Sequence, residues 1–128
     1  MSREVEFHDV RRRVAEFGEL ATLVTVTGSG APHTVSVLVD AADRTLVVAV
    51  GARTLANIVA NPAVCLLWTP GESGNYQLIL DGTAAPNAVE RTGGLVEIAI
   101  TVTMGILHRL ADRSGTGPTC VALGAAQA

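Results

Sequence analysis

The sequence predicts a mainly β fold: a six-stranded antiparallel barrel with an N-terminal helix and one short internal helix. Three observations predict it. Val, Leu, Ile and Ala must build the core, because only 3% of the 128 residues are aromatic while 48% are hydrophobic. Short β-branched runs alternate with Gly, Pro, Asn and Asp clusters. The runs are close enough to be joined as hairpins, and closing such a meander leaves no exposed edge.

Each element follows from local pattern. Residues 4–17 read as a helix, with Val5, Val10, Val14 and Phe17 on one face and Gly18 ending it. Leu20–Thr27 is the first strand, and Gly28-Ser29-Gly30-Ala31-Pro32 is a turn cluster. His33–Asp40 alternates, placing Val35, Val37 and Val39 on one face and Thr34, Ser36 and Leu38 on the other. Asp40–Arg44 is a second turn and Thr45–Val50 a third strand. Gly51-Ala52-Arg53-Thr54 breaks the period, and Leu55–Ala60 reads as a short helix stopped by Asn61-Pro62. Ala63–Trp68 is the fourth strand. Tyr76–Leu80 is the fifth, turning at Asp81-Gly82, and Val96–Leu107 is a long sixth strand. The segment 83–94 has no clear pattern, and residues 111–128, rich in Gly and Ala, read as a loosely ordered tail. The length fits one domain spanning 1–128.

Composition excludes several functions. The net charge is −3, and the one basic run, Arg11-Arg12-Arg13, reads as a solvated helix face. No basic stripe carries interleaved aromatics, so no nucleic-acid partner is expected. Cys65 and Cys120 form no C-x-x-C pair, and His8, His33 and His108 are not at metal-ligand spacing, so no metal is expected. Cys65 lies in an apolar run and reads as a small buried hydrophobe. The N-terminus lacks a signal-peptide core and no apolar stretch reaches bilayer length, so the expectation is a cytoplasmic protein without a membrane partner. The common nucleophile, zinc and nucleotide-loop motifs are absent.

One segment carries chemistry. Val50-Gly51-Ala52-Arg53-Thr54-Leu55-Ala56-Asn57 runs strand, glycine turn, Arg-Thr, helix. A helix N-terminus offers free N–H groups and partial positive charge to a phosphate. Arg53 adds a guanidinium fork and Thr54 a hydroxyl. The competing reading is that Thr54 caps the short helix and Arg53 is solvated.

The stretch from Gly51 to Trp68 resembles the G-S-R-K-x-x-x-I-x-x-N-P-x-V-x-L-L-[FW] segment of pyridoxamine 5′-phosphate oxidases and their short relatives. Ala21-Thr22-Leu23 with Gly30-Ala31-Pro32-His33 resembles the family's A-x-L-x-T…G-x-P-H hairpin. Tyr76–Ala84 resembles its next strand, and Ile106-Leu107-His108-Arg109 the last strand of short members. The resemblance spans residues 18–110. It implies a six-stranded split barrel of Greek-key type, a homodimer, and two cofactor sites between the subunits.

It further implies that Arg53 meets the cofactor phosphate, with Thr54, Asn57, Val50 and Gly51 around that turn. Gln77 falls near the ring system, and His33, Thr34, Val35 and Ser36 run along the ring and its side chain. The implied cofactor is FMN, with the deazaflavin coenzyme F-420, haem or no cofactor as alternatives. The implied partner is a small-molecule redox substrate. The family's Ser-Arg-Lys is Ala52-Arg53-Thr54 here, one cation fewer, and its Arg-x-His substrate motif is missing. The expected activity is therefore that of a flavin or deazaflavin oxidoreductase other than a pyridoxamine phosphate oxidase. The alternative is a non-catalytic flavin, deazaflavin or haem holder.

Overall fold

Period-two alternation of Val, Leu and Ile governs most of the chain, and a computed structural model shows what it builds. The structure describes residues 2–70, 74–90 and 93–111. In chain order the elements are β1 (Ser2–Glu4), a 3-10 turn (Phe7–Asp9), α1 (Val10–Phe17), β2 (Leu20–Val26), β3 (Pro32–Leu38), β4 (Asp40–Ala42) and β5 (Thr45–Val50). They continue with α2 (Ala52–Ala60), β6 (Ala63–Trp68), β7 (Tyr76–Glu90) and β8 (Val96–Arg109).

All pairings are antiparallel, along the path β3-β2-β6-β7-β8-β5-β4, with β1 added to β8. The two ends of this path, β3 and β4, are joined in the chain by Val39 alone. Val39 donates its N–H to the carbonyl of Glu19 at 2.7 Å, which holds the bend. The sheet therefore curls until one bent strand, residues 32–42, serves both ends: β3 pairs with β2, and β4 pairs with β5. Antiparallel split-barrel architecture is what the sequence predicts.

The inward face of the alternation is the core. Leu23, Leu46, Val48, Leu66, Leu78, Leu80, Ile98, Ile100 and Val102 are all but inaccessible to solvent. Burial of each such side chain contributes about 1.5–3 kcal/mol. One end of the barrel is covered by α1 through Val10 and Val14, and there the Trp68 indole donates to the Gly18 carbonyl at 2.8 Å. The other end is covered by α2. Its Ile58 is buried, and Asn57 Nδ2 donates to Thr25 Oγ1 at 3.1 Å inside the fold.

Several boundaries differ from the sequence expectation, each for a tertiary reason. The helix expected over 4–17 begins at Val10, because residues 2–4 find the free edge of β8 instead. Val5 N–H donates to the Gly105 carbonyl at 2.7 Å, and a Cβ on Gly105 would fall 2.9 Å from that of Val5. The turn expected over 40–44 is tighter, because residues 40–42 pair with β5 and only Asp43, at φ 52°, takes the left-handed conformation. Arg44 pins that turn, stacking on Phe7 at 3.7 Å and donating Nε–H to the Val102 carbonyl at 2.8 Å.

The turn expected at Asp81-Gly82 is a register shift within one long strand, and β7 runs on to Glu90 against β8. Gly82 is there for close approach: a Cβ would lie 2.7 Å from both Ile100 Cγ2 and the Thr101 carbonyl. The internal helix starts at Ala52 rather than Leu55, with Gly51 as its N-cap, so Thr54 is not the cap. With β1 and β4 added, eight strands replace the expected six. The tail from residue 112 onward lies outside the described residues.

Candidate functional site

The chain bends at Val39, and beyond that point β3 and β5 diverge without a ladder between them. Between them opens a trough of about 760 Å³. Ser36 and Leu38 form one wall, Val47 and Ala49 the other, and Leu95 closes one side. Glu19 and Asp40 add two exposed carboxylates. The volume lies within the range of small-molecule sites, roughly 300–1,000 Å³. Leu38 pairs across the sheet with Leu20, and the two are 62% and 64% exposed, so the rim carries uncovered apolar surface.

Beyond Ala49, β5 ends at Val50, and Gly51 leads into α2. No side chain caps this helix N-terminus, which leaves first-turn N–H groups free of side-chain partners. Arg53 lies in that turn, exposed, with no hydrogen bond or ion pair among the described residues. An uncapped N-terminus beside an unpaired guanidinium is suited to an anion.

The residues singled out in the sequence fall into three groups. Thr34 and Ser36 lie on the outward face of β3, and Ser36 lines the trough. Val50, Thr54 and Asn57 are buried, so any part they take in binding goes through backbone or positioning. Val35 packs against the core. Half-buried His33 pairs with Thr25, the acceptor of the Asn57 amide. Its Nδ1 is shielded from water, with no partner among the described residues. Gln77 is elsewhere: it lies on β7, paired with His108, and two strands, β2 and β6, lie between it and β3 on the sheet path.

That outer face has a character of its own. Thr22, Leu67, Ile79 and Ile106 are successive cross-strand partners over β2, β6, β7 and β8. Val24, Cys65, Asp81 and Met104 form the next such row. Cys65 is half-buried on this face rather than in the core. Burial pushes its thiol up to about 11, and the charge and hydrogen bond of its partner Asp81 add to the rise. It is therefore protonated at ordinary pH and a poor nucleophile. Among the described residues no cluster of His, Cys, Asp or Glu is placed to hold a metal ion. Among the same residues no helix is long and apolar enough to cross a membrane.

Sequence reasoning missed Leu38, Val47, Ala49 and Leu95 as trough residues. The available signal was the pair Leu20 and Leu38, large apolar residues in outward register. Such positions are expected to be polar when they face only water.

No family model matches the chain. Two uncharacterized proteins, from Mycobacterium bovis and Mycobacterium tuberculosis, are each 29% identical over 123 residues, covering 87% of this chain and 85% of theirs. Solved structures are similar in fold at lower identity. A candidate pyridoxamine 5′-phosphate oxidase from Listeria innocua superposes with a TM-score of 0.66 at 20% identity, covering 80% of this chain and 98% of its own. An F-420 reductase gives 0.62 at 18% identity, covering 75% and 95%. The haem storage protein HutZ from Vibrio cholerae gives 0.60 at 16% identity, covering 76% and 92%. The chain thus shares the split-barrel fold of proteins that serve flavin-type and haem chemistry.

Proposed function

We propose that this chain is a flavin- or deazaflavin-dependent oxidoreductase, a short relative of the pyridoxamine 5′-phosphate oxidases, working as a homodimer. The observation that carries the reading is the trough along β3 and β5, together with the uncapped helix N-terminus that follows β5 and carries an arginine unpaired among the described residues. The residues fit such a cofactor. Arg53 and the first-turn N–H groups of α2 would take its phosphate. Ser36 and Thr34 would line its side chain, with His33 next to them on β3. FMN is the first candidate and the deazaflavin F-420 the second.

The bound cofactor would supply hydride transfer; the protein supplies orientation and a water-poor surface. Leu38, Val47, Ala49 and Leu95 would exclude water along the trough. Arg53 would neutralise phosphate charge without taking part in the chemistry. Gln77 does not line the Ser36 trough of its own subunit, so a role in the same site would come through a second copy. The half-buried row of Leu67, Ile79 and Ile106 supplies an apolar surface for that copy.

A second reading, a non-catalytic holder of flavin, deazaflavin or haem, is favoured by one feature. The titratable groups lining the trough are two exposed carboxylates, Glu19 and Asp40, with no histidine, cysteine or lysine among the described residues there. An absorbance spectrum of the purified protein, followed by titration with FMN, F-420 and haem, tests both readings. Flavin or deazaflavin bands that bleach with reductant and return with an acceptor support the oxidoreductase. A haem spectrum, or a cofactor that never turns over, supports the holder. Light scattering that gives a monomer mass at micromolar concentration would sink the shared site.

A further inference from the structure

A second cleft, of about 290 Å³, opens at the α1 end of the barrel and shares no lining residue with the trough. Its polar lining comes from Arg3, Arg13, Glu16, Asn75 and Tyr76, and its apolar walls from Phe17, Pro70 and Leu107. Among the described lining residues two guanidinium groups face one carboxylate, a surplus of one positive charge. Glu16 is already engaged twice: Oε1 accepts from Arg13 Nη1 at 3.0 Å, and Oε2 lies 3.5 Å from Arg12 Nη1. The Arg3 guanidinium lies 5.6 Å from the Tyr76 ring centroid and has no carboxylate partner among the described residues. Arg13 Nε is shielded from water, with no acceptor among the described residues.

Arg3 lines the cleft without a carboxylate partner among the described residues, so its guanidinium N–H groups are available to an anion there. Two arginines around a small cavity match an oxyanion, which one guanidinium fork can bind bidentately. The walls of Phe17, Pro70 and Leu107 would strip water from whatever the oxyanion is attached to. Inorganic phosphate would leave those walls unused, and a dianion would overshoot the surplus charge. We propose that this cleft binds a small monocarboxylic acid with an apolar body, with Arg13 and Arg3 receiving the carboxylate.

Calorimetric titration with benzoate as the probe tests it. Wild type is expected to bind one benzoate per chain, with benzyl alcohol and inorganic phosphate each weaker by about tenfold or more. Arg13→Gln and Arg3→Gln are each expected to weaken benzoate by about tenfold, the loss of one charge-assisted hydrogen bond. Arg53→Ala is expected to leave benzoate binding unchanged. Thermal melts of each variant confirm that it is folded, and Arg13→Lys, which keeps the charge without the fork, is expected to retain only part of the affinity. No benzoate binding at millimolar concentration overturns the proposal. So does binding unaffected by both arginine substitutions, or lost in Arg53→Ala but kept in Arg13→Gln. Benzyl alcohol binding as tightly as benzoate removes the role of charge, and phosphate binding as tightly removes the role of the walls; either result overturns it.

Discussion

The seam between β7 and β8 and the gap between β3 and β5 belong to one barrel and are built from the same kinds of side chain. Along the first, pairing runs from Tyr76 against Arg109 to Glu90 against Val96, interrupted only by two register shifts. Along the second, ladder pairing stops once the chain bends at Val39, and a trough of about 760 Å³ opens. The inward residues on both are Val, Leu and Ile, so hydrophobicity does not distinguish them. Backbone pairing does. The closed seam satisfies its own N–H and C=O groups and buries Leu78, Leu80, Ile98 and Ile100. The open one leaves room and apolar surface for something else. The comparison teaches that the seam spends its backbone groups on its own ladder, whereas the gap leaves a trough along its two strands.

The hardest blow to the closed seam is a cavity. Leu80→Ala removes a side chain that is 1% exposed and should cost about 2–5 kcal/mol, read by urea denaturation. A loss below about 1 kcal/mol would mean that the seam is not where stability resides. Gly82→Ala attacks the same seam by overpacking. Its Cβ would meet the Thr101 carbonyl, a backbone atom that cannot swing aside, at 2.7 Å. A loss of about 1–3 kcal/mol is expected in the same assay.

The open side should respond in the opposite way. Arg53→Ala is expected to weaken FMN or F-420 binding by about tenfold to a hundredfold, followed by cofactor fluorescence. Its folding stability should stay within about 0.5 kcal/mol of wild type. Equal cofactor affinities for wild type and variant would place the phosphate elsewhere and remove the functional half of the comparison.

The smallest effect concerns a residue outside both regions. Cys65 titrates near 9.0 unfolded and about 11 folded, because of burial first and Asp81 second. The folded state holds a proton that the unfolded chain has lost in that window. The stabilisation is complete below pH 9 and disappears as pH rises through 11. Denaturation curves across this range should fall more steeply in wild type than in Cys65→Ala. Identical slopes would show that the thiol is freely solvated.

The strand faces were legible because alternation is a local property. Ala63–Trp68 has the bounds its pattern predicts, and Val37 and Val39 point inward as their period requires. The glycine turn from β5 into α2 at Gly51 was also readable, since a glycine before a helix start leaves its mark in a few consecutive residues. The competing reading of Thr54 as the cap does not hold, because a hydroxyl near a helix start looks the same in sequence whether it caps or is buried three residues in.

By itself, then, the sequence determined an antiparallel barrel, the inward set of core residues and the arginine at the start of α2. Each of these follows from neighbours in the chain. The tertiary structure alone decided where strands stop and where the barrel stays open. Residues 2–4 became a strand because β8, about a hundred residues away, had a free edge. Asp81-Gly82 stayed extended because β8 was there to pair with it. The trough exists because Val39 bends toward Glu19 and carries β3 away from β5. A backbone hydrogen bond between distant segments has no local pattern to announce it, so the boundaries of this barrel and the walls of its trough became visible only in the folded chain.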